Sequence, residues 1–283
     1  MKKYNIAGIK IALDFNYDTY FKNNLEHYRI ADDATVSHGL KTSVVGHISV
    51  PKEEPAYKAD ERSIYRKKTE KVLVHYNSEG IVTHKVIQDF SMKNTHIEIK
   101  EDAFEKMDEW EYIISGIYFM EIALLHKRFS LHASAIGYNG KAIVFAAPSG
   151  TGKTTHVNYW QELFGPLDII NDDKPFLYFD EGVLMAAGAP FSGKEAKNTN
   201  IALPVSAIIF LEQGTENTLK PLSTYEAFHN LYLNTHRPRK KELMVNVLDS
   251  IQNIMESTPI FKAQVTHAKK SAVIIRDLLD ALL

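Results

Sequence analysis

The run Ala147-Pro148-Ser149-Gly150-Thr151-Gly152-Lys153-Thr154, followed by Thr155, constrains this chain more than any other stretch. It follows the apolar run Ala142-Ile143-Val144-Phe145-Ala146 and precedes a helix-compatible segment ending at Phe164. A buried strand, a tight glycine-containing turn and a helix opening on lysine have the spacing of a phosphate-binding loop, here with alanine in place of the first glycine. Gly150 and Gly152 let the backbone turn where a side chain would clash, and they aim successive N–H groups into one concavity. A phosphate chain fits such a concavity, helped by the positive end of the following helix. Lys153 is placed to reach the terminal phosphates and the Thr154 hydroxyl to hold Mg²⁺. Ser149, Gly150, Thr151, Gly152, Lys153, Thr154 and Thr155 are therefore the candidate nucleotide-binding residues. The plain alternative is a glycine-rich turn between a strand and a helix that binds no ligand; the buried strand before and the helix-compatible segment after supply the context the phosphate-loop reading requires.

Composition narrows what surrounds this loop. The chain has 283 residues, 45% hydrophobic and 24% charged, which allows one large domain or two ordinary ones with a sizeable core. A net charge of −2 gives no argument for a nucleic-acid or membrane partner. The absence of cysteine excludes disulfides, thiolate zinc sites and cysteine nucleophiles, and fits a cytoplasmic protein. The most apolar helical stretch, Tyr112 to Leu125, is too short to span a bilayer and carries Glu121.

The two halves differ in texture. Residues 1–100 read as short strands with polar turns: Ile6 to Leu13, Ser43 to Val50, a hairpin of Lys71–Tyr76 with Ile81–Ile87, and His96 to Lys100. Phe15 to Tyr28 reads as a short helix, and 101–127 as a connecting helix. Residues 128–283 alternate strand and helix patterns: strands at Phe129–Ile136, Lys141–Ala147, Leu167–Ile170, Phe176–Phe179, Val183–Ala186, Val205–Leu211 and Pro259–Val265, and helices near 223–236, 239–257 and 269–282. The first half holds no catalytic pattern.

A phosphate loop needs an acidic residue for the metal and an activator for the nucleophile. Asn171-Asp172-Asp173-Lys174-Pro175 follows a strand-like run, and so stands at a strand's C-terminal end, where α/β sites form. Two adjacent carboxylates near Mg²⁺ can divide labour, one serving the metal and the other taking a proton from an attacking hydroxyl. The residue pattern leaves the two roles exchangeable. Lys194, in Ser192-Gly193-Lys194, offers a second cation. Arg237 or Arg239, in the basic run His236 to Lys241, offers a charge for the transferring phosphoryl group. The other histidines show no ligand spacing, and no HExxH pattern exists.

Four stretches together resemble HPr-kinase-related proteins: Leu131-His132-Ala133-Ser134-Ala135, the loop from Pro148 to Thr155, Asn171-Asp172-Asp173, and Gly188-Ala189-Pro190-Phe191-Ser192-Gly193-Lys194. The resemblance covers residues 128–282 and implies an α/β fold with a phosphate-loop mixed-sheet core, of the type HPr kinases share with ATP-dependent phosphoenolpyruvate carboxykinases. It also implies ATP and Mg²⁺ as cofactors and transfer of the γ-phosphoryl group to a serine hydroxyl. It places His132 in the site beside the acidic pair, with Asp173 as base and Asp172 as the metal-side carboxylate.

The first hundred residues do not resemble the N-terminal domain of HPr kinase proper, which disfavours HPr itself as acceptor. Similar proteins of ribosomal-peptide pathways modify a serine of a precursor peptide, so a serine-containing peptide or protein is the expected partner. The strand-rich half would position it. A small-molecule kinase acting, for example, on free serine and a nucleotide-dependent regulatory protein are the rival readings. A homo-oligomer is compatible with all three.

Overall fold

The computed structural model of the chain describes residues 1–17, 19–59, 61–148, 151–192 and 197–282. It is mixed α/β and divides into two units, Met1–Ile122 and Ala123–Leu283.

The first unit holds β1 (Lys2–Ile6), β2 (Ile9–Asp14), α1 (Phe21–Leu25), β3 (His38–Val45), β4 (Tyr57–Ala59), β5 (Arg62–Arg66), β6 (Glu70–Tyr76), β7 (Val82–Asp89) and β8 (Asn94–Lys100). They form one eight-stranded sheet in the order β1-β2-β3-β8-β7-β6-β5-β4. The chain then enters α2 (Met107–Leu125), and the division between the units falls in its last turn.

Two expectations are corrected here. The alternating run Ile6–Leu13 is a hairpin and not one strand, because Ala7 and Gly8 both take positive φ, 50° and 84°, and reverse the chain. The helix expected over Phe15–Tyr28 begins only at Phe21, because the segment before it is bound elsewhere. The fully buried Glu111 carboxylate of α2 accepts from the backbone N–H of Asn16 at 2.8 Å, from that of Tyr17 at 2.9 Å, and from the Thr42 hydroxyl. A buried carboxylate requires such donors, and satisfying it outweighs two turns of a short helix.

The second unit holds β9 (Phe129–Ser130), β10 (Ala133–Tyr138), β11 (Lys141–Ala146), α3 (Lys153–Phe164), β12 (Asp168–Asn171), β13 (Phe176–Asp180), β14 (Val183–Ala187), β15 (Ala202–Gln213), β16 (Thr218–Pro221), α4 (Thr224–Leu233), α5 (Lys241–Ser257), β17 (Ile260–Val265) and α6 (Lys270–Leu282). Its sheet runs β12-β10-β11-β15-β14-β13-β9, with β17 parallel to β15 and β16 along β17. The twelve-residue β15 serves two neighbours on one side, β14 through its first residues and β17 through its last.

On one face, Phe145, Ile209, Leu211 and Phe261 pack with Val157 and Trp160 of α3 and Ile275 and Leu279 of α6. The turns at Asn139-Gly140 and Glu181-Gly182 each put two successive residues at positive φ, which suits two-residue hairpins. Among the described residues no helix is long and apolar enough to cross a membrane.

His156 ties this core to pH. It is 3% exposed, and its Nε2 accepts a hydrogen bond from Trp160 Nε1 at 3.1 Å, which requires the neutral ring. Burial pushes its pKa down to about 4. Between that value and the ordinary one near 6.5, unfolding takes up a proton, so stability falls as pH drops through this window. The expected loss at pH 5 is about 2 kcal/mol from this residue. Urea unfolding at pH 7 and pH 5 checks it: His156→Gln should reduce the pH-dependent loss by about that amount. Equal losses in the two proteins would refute the assignment.

Candidate active site

Strand register alone brings three distant segments to one end of the second sheet. β10 runs antiparallel to both of its neighbours, with Ala133 opposite Ala146 of β11 and Ala135 opposite Asn171 of β12. The start of β10 therefore lies beside the ends of β11 and β12. His132 precedes β10, the loop leading to Lys153 follows β11, and Asp172-Asp173 follow β12.

The loop ends on Gly152, whose φ of 94° is left-handed and which stands at the N-terminal boundary of α3. Its N-cap residue, Gly152, has no side chain to cap it, and no acidic residue lies in its first turn. Its first intrahelical bond is His156 N–H to Gly152 O, at 2.9 Å, so the N–H groups of Lys153, Thr154 and Thr155 have no partner within the helix. A helix start with a lysine as first residue attracts anions. Thr151 donates its N–H to Pro148 O at 3.2 Å, and its own carbonyl accepts from Gln213 Nε2 at 3.3 Å.

The acidic pair is built by Asn171, which is fully buried. Its Oδ1 accepts from the N–H groups of Asp173 and Lys174, at 2.8 and 2.6 Å, and its Nδ2 donates to Ala189 O at 2.7 Å. That Asx turn sends the two carboxylates in different directions. Asp172 faces the loop: Oδ1 accepts from the Ser134 hydroxyl at 2.5 Å and Oδ2 from the Thr154 hydroxyl at 3.3 Å. Asp173 faces His132, whose Nε2 is 3.5 Å from Oδ1, while Lys174 pairs with Oδ2.

His132 is held by its backbone. Its N–H donates to Asn234 O at 2.7 Å, and Ala133 N–H donates to Asp173 O at 3.0 Å. These bonds break the strand expected over Phe129–Ile136 into β9 and β10.

The electrostatics knit the cluster together. Burial lowers the Lys153 pKa, opposed by Asp173 and Asp172. Burial lowers the His132 pKa too, with Lys153 adding to the shift and Asp173 opposing it. His132 is accordingly neutral at pH 7, able to accept a hydrogen bond on one ring nitrogen while donating from the other.

Thr151, Gly152, Lys153, Thr154, His132, Asp172 and Asp173 thus gather around one helix start. Thr155 is exposed in the first turn of α3. Arg237 and Arg239 are exposed, and the Arg237 guanidinium lies 5.5 Å from the centre of the Tyr232 ring; at the root of their segment, Asn234 O accepts from His132 N–H. Ser149, Gly150 and Lys194 lie outside the described residues.

No family model and no curated protein matches the chain. Among solved structures, the Hpr(Ser) kinase/phosphatase from Coxiella burnetii is similar over 54% of this chain and 94% of its own, at 12% sequence identity and a TM-score of 0.33.

Two participants were not singled out as site residues from the sequence. Lys174 pairs with Asp173, and its adjacency in the chain was the available signal. Ser134 bonds Asp172 from a strand of small buried residues, and a lone hydroxyl in such a strand is the trace it leaves.

Proposed function

We propose that this chain is an ATP- and Mg²⁺-dependent kinase that transfers the γ-phosphoryl group to a serine hydroxyl of a peptide or protein. The observation that carries the reading is the convergence of Lys153, Thr154, Asp172, Asp173 and His132 at one helix start. The sequence resemblance to HPr-kinase-related proteins points the same way.

The donors suit the cofactors. Thr154 and Asp172 present hard oxygens side by side, the ligand type Mg²⁺ prefers. Among the described residues no group of three or more histidines and carboxylates could hold a metal unaided. Mg²⁺ commonly binds through one or two carboxylates together with substrate phosphates, which this donor set matches. When bound, the ion would neutralise charge on the phosphates.

The remaining work falls to the chain. The N–H groups of α3 and the Lys153 ammonium hold and neutralise the phosphate chain. Asp173, beside neutral His132, takes the proton from the acceptor hydroxyl. Asp172 stands on the metal side. The geometry favours this division over the reverse, because only Asp172 faces Thr154.

For the acceptor, the sheet of the first unit ends at the short edge strand β4, on which Tyr57 and Lys58 are exposed, whereas the outer side of β1 already pairs with Arg29 and Ile30. Such an edge as β4 suits an extended peptide added as a further strand.

The test is transfer itself. Full-length protein with Mg·ATP and either serine-containing peptides or free serine is followed by mass spectrometry. A phosphoserine peptide formed at least tenfold faster than phosphoserine supports the reading. The reverse preference makes it a small-molecule kinase, and nucleotide binding without transfer makes it a binding protein.

A further inference from the structure

Ser134 is fully buried in β10, and its hydroxyl donates to Asp172 Oδ1 at 2.5 Å. Its neighbours on the strand, Ala133 and Ala135, are small and fully buried as well. A hydroxyl there needs a partner, and alanine would suit the packing equally well without one.

The partner it has is a carboxylate whose other oxygen accepts from Thr154 at 3.3 Å. Asp172 is thereby gripped at both oxygens, from β10 and from the first turn of α3. Its backbone is held too, with its N–H donating to Lys197 O at 3.1 Å. A carboxylate on a turn could rotate about its side-chain bonds. The Ser134 bond, a short one to a charged acceptor, removes that freedom and turns the second oxygen toward the loop.

We propose that Ser134 is a positioning residue for metal-assisted nucleotide binding. Without touching nucleotide or ion, it holds Asp172 in the orientation that meets Thr154, and so raises the affinity for Mg²⁺ in the nucleotide complex. This rests on the kinase reading and adds a role to a residue outside the loop and the acidic pair. Hydrogen-bonded partners of ligating carboxylates commonly change metal affinity by 10–100-fold when removed.

The experiment titrates Mg²⁺ into the full-length protein with a fluorescent ATP analogue, alongside analogue binding in EDTA and thermal unfolding. Ser134→Ala should raise the half-saturating Mg²⁺ about tenfold and leave EDTA affinity within about twofold. Ser134→Cys keeps the volume but donates only weakly, and should shift the midpoint in the same direction. In an Asp172→Asn background, Ser134→Ala should add nothing.

Midpoints unchanged in both variants overturn the proposal. So does a shift in the alanine variant alone, which would mean a packing void, and so does a full further shift in the Asp172→Asn background. If the wild-type protein binds the analogue with no dependence on Mg²⁺, the kinase reading itself fails and the proposal with it.

Discussion

Lys153→Ala is expected to reduce phosphoryl transfer by about 10³-fold or more, the scale for losing a preorganised charge at a developing anion. ATP affinity should fall about tenfold or more, since the same ammonium neutralises the bound phosphates. The fold should survive. Lys153 is the first residue of α3, and alanine is readily accommodated in a helix. The lysine does sit among like and unlike charges: burial lowers its pKa while Asp173 and Asp172 raise it. Its removal leaves the two carboxylates with one cation fewer, but Lys174 still pairs with Asp173. Single-turnover transfer, calorimetric ATP affinity and thermal unfolding separate these effects. A well-folded variant that transfers at the wild-type rate would sink the assignment. Lys153→Arg should recover little, because a planar guanidinium does not replace a compact ammonium.

How much of this was legible in the sequence depends on where the determining contact lies. The left-handed Gly152 before Lys153 and the turn at Asn139-Gly140 were legible because glycine marks a backbone need that is purely local. Ala7-Gly8 escaped because the alternation on either side of it ran on without a break. The interruption at Leu131-His132 was beyond reach, since it rests on bonds to Pro175 and Asn234, far along the chain. β16 was missed because Thr218–Pro221 gains its strand character from pairing with β17. The acidic pair could be found from its place after a strand. Which carboxylate faces which partner could not, because the Asx turn of Asn171 and the Ser134 hydroxyl set that in three dimensions. A run of basic residues carries no direction at all: Arg237 and Arg239 are exposed, and the Arg237 guanidinium lies 5.5 Å from the centre of the Tyr232 ring.

Asp173→Asn should cut transfer by about 10²-fold or more, the usual contribution of a general base, with ATP affinity nearly unchanged. The substitution preserves shape, and the backbone holds the residue in place. Asp173 N–H is bound by Asn171 Oδ1 at 2.8 Å, and its carbonyl accepts from Ala133 at 3.0 Å. What changes is chemistry: an amide cannot take a proton, and Lys174 loses its ionic partner. On the Oδ1 side the neutral His132 ring stands 3.5 Å away, longer than a good hydrogen bond. A hydroxyl entering there would meet the carboxylate as base and the imidazole as guide. His132→Asn should therefore cost less than Asp173→Asn and raise the KM for the acceptor more than it lowers kcat. Single-turnover rates at saturating Mg·ATP, set against calorimetric affinity, decide the matter. If Asp173→Asn instead lost Mg·ATP binding yet transferred normally at saturation, Asp173 would be the metal-side residue. Asp172, gripped by Ser134 and Thr154, would then have to serve as base despite having both oxygens occupied.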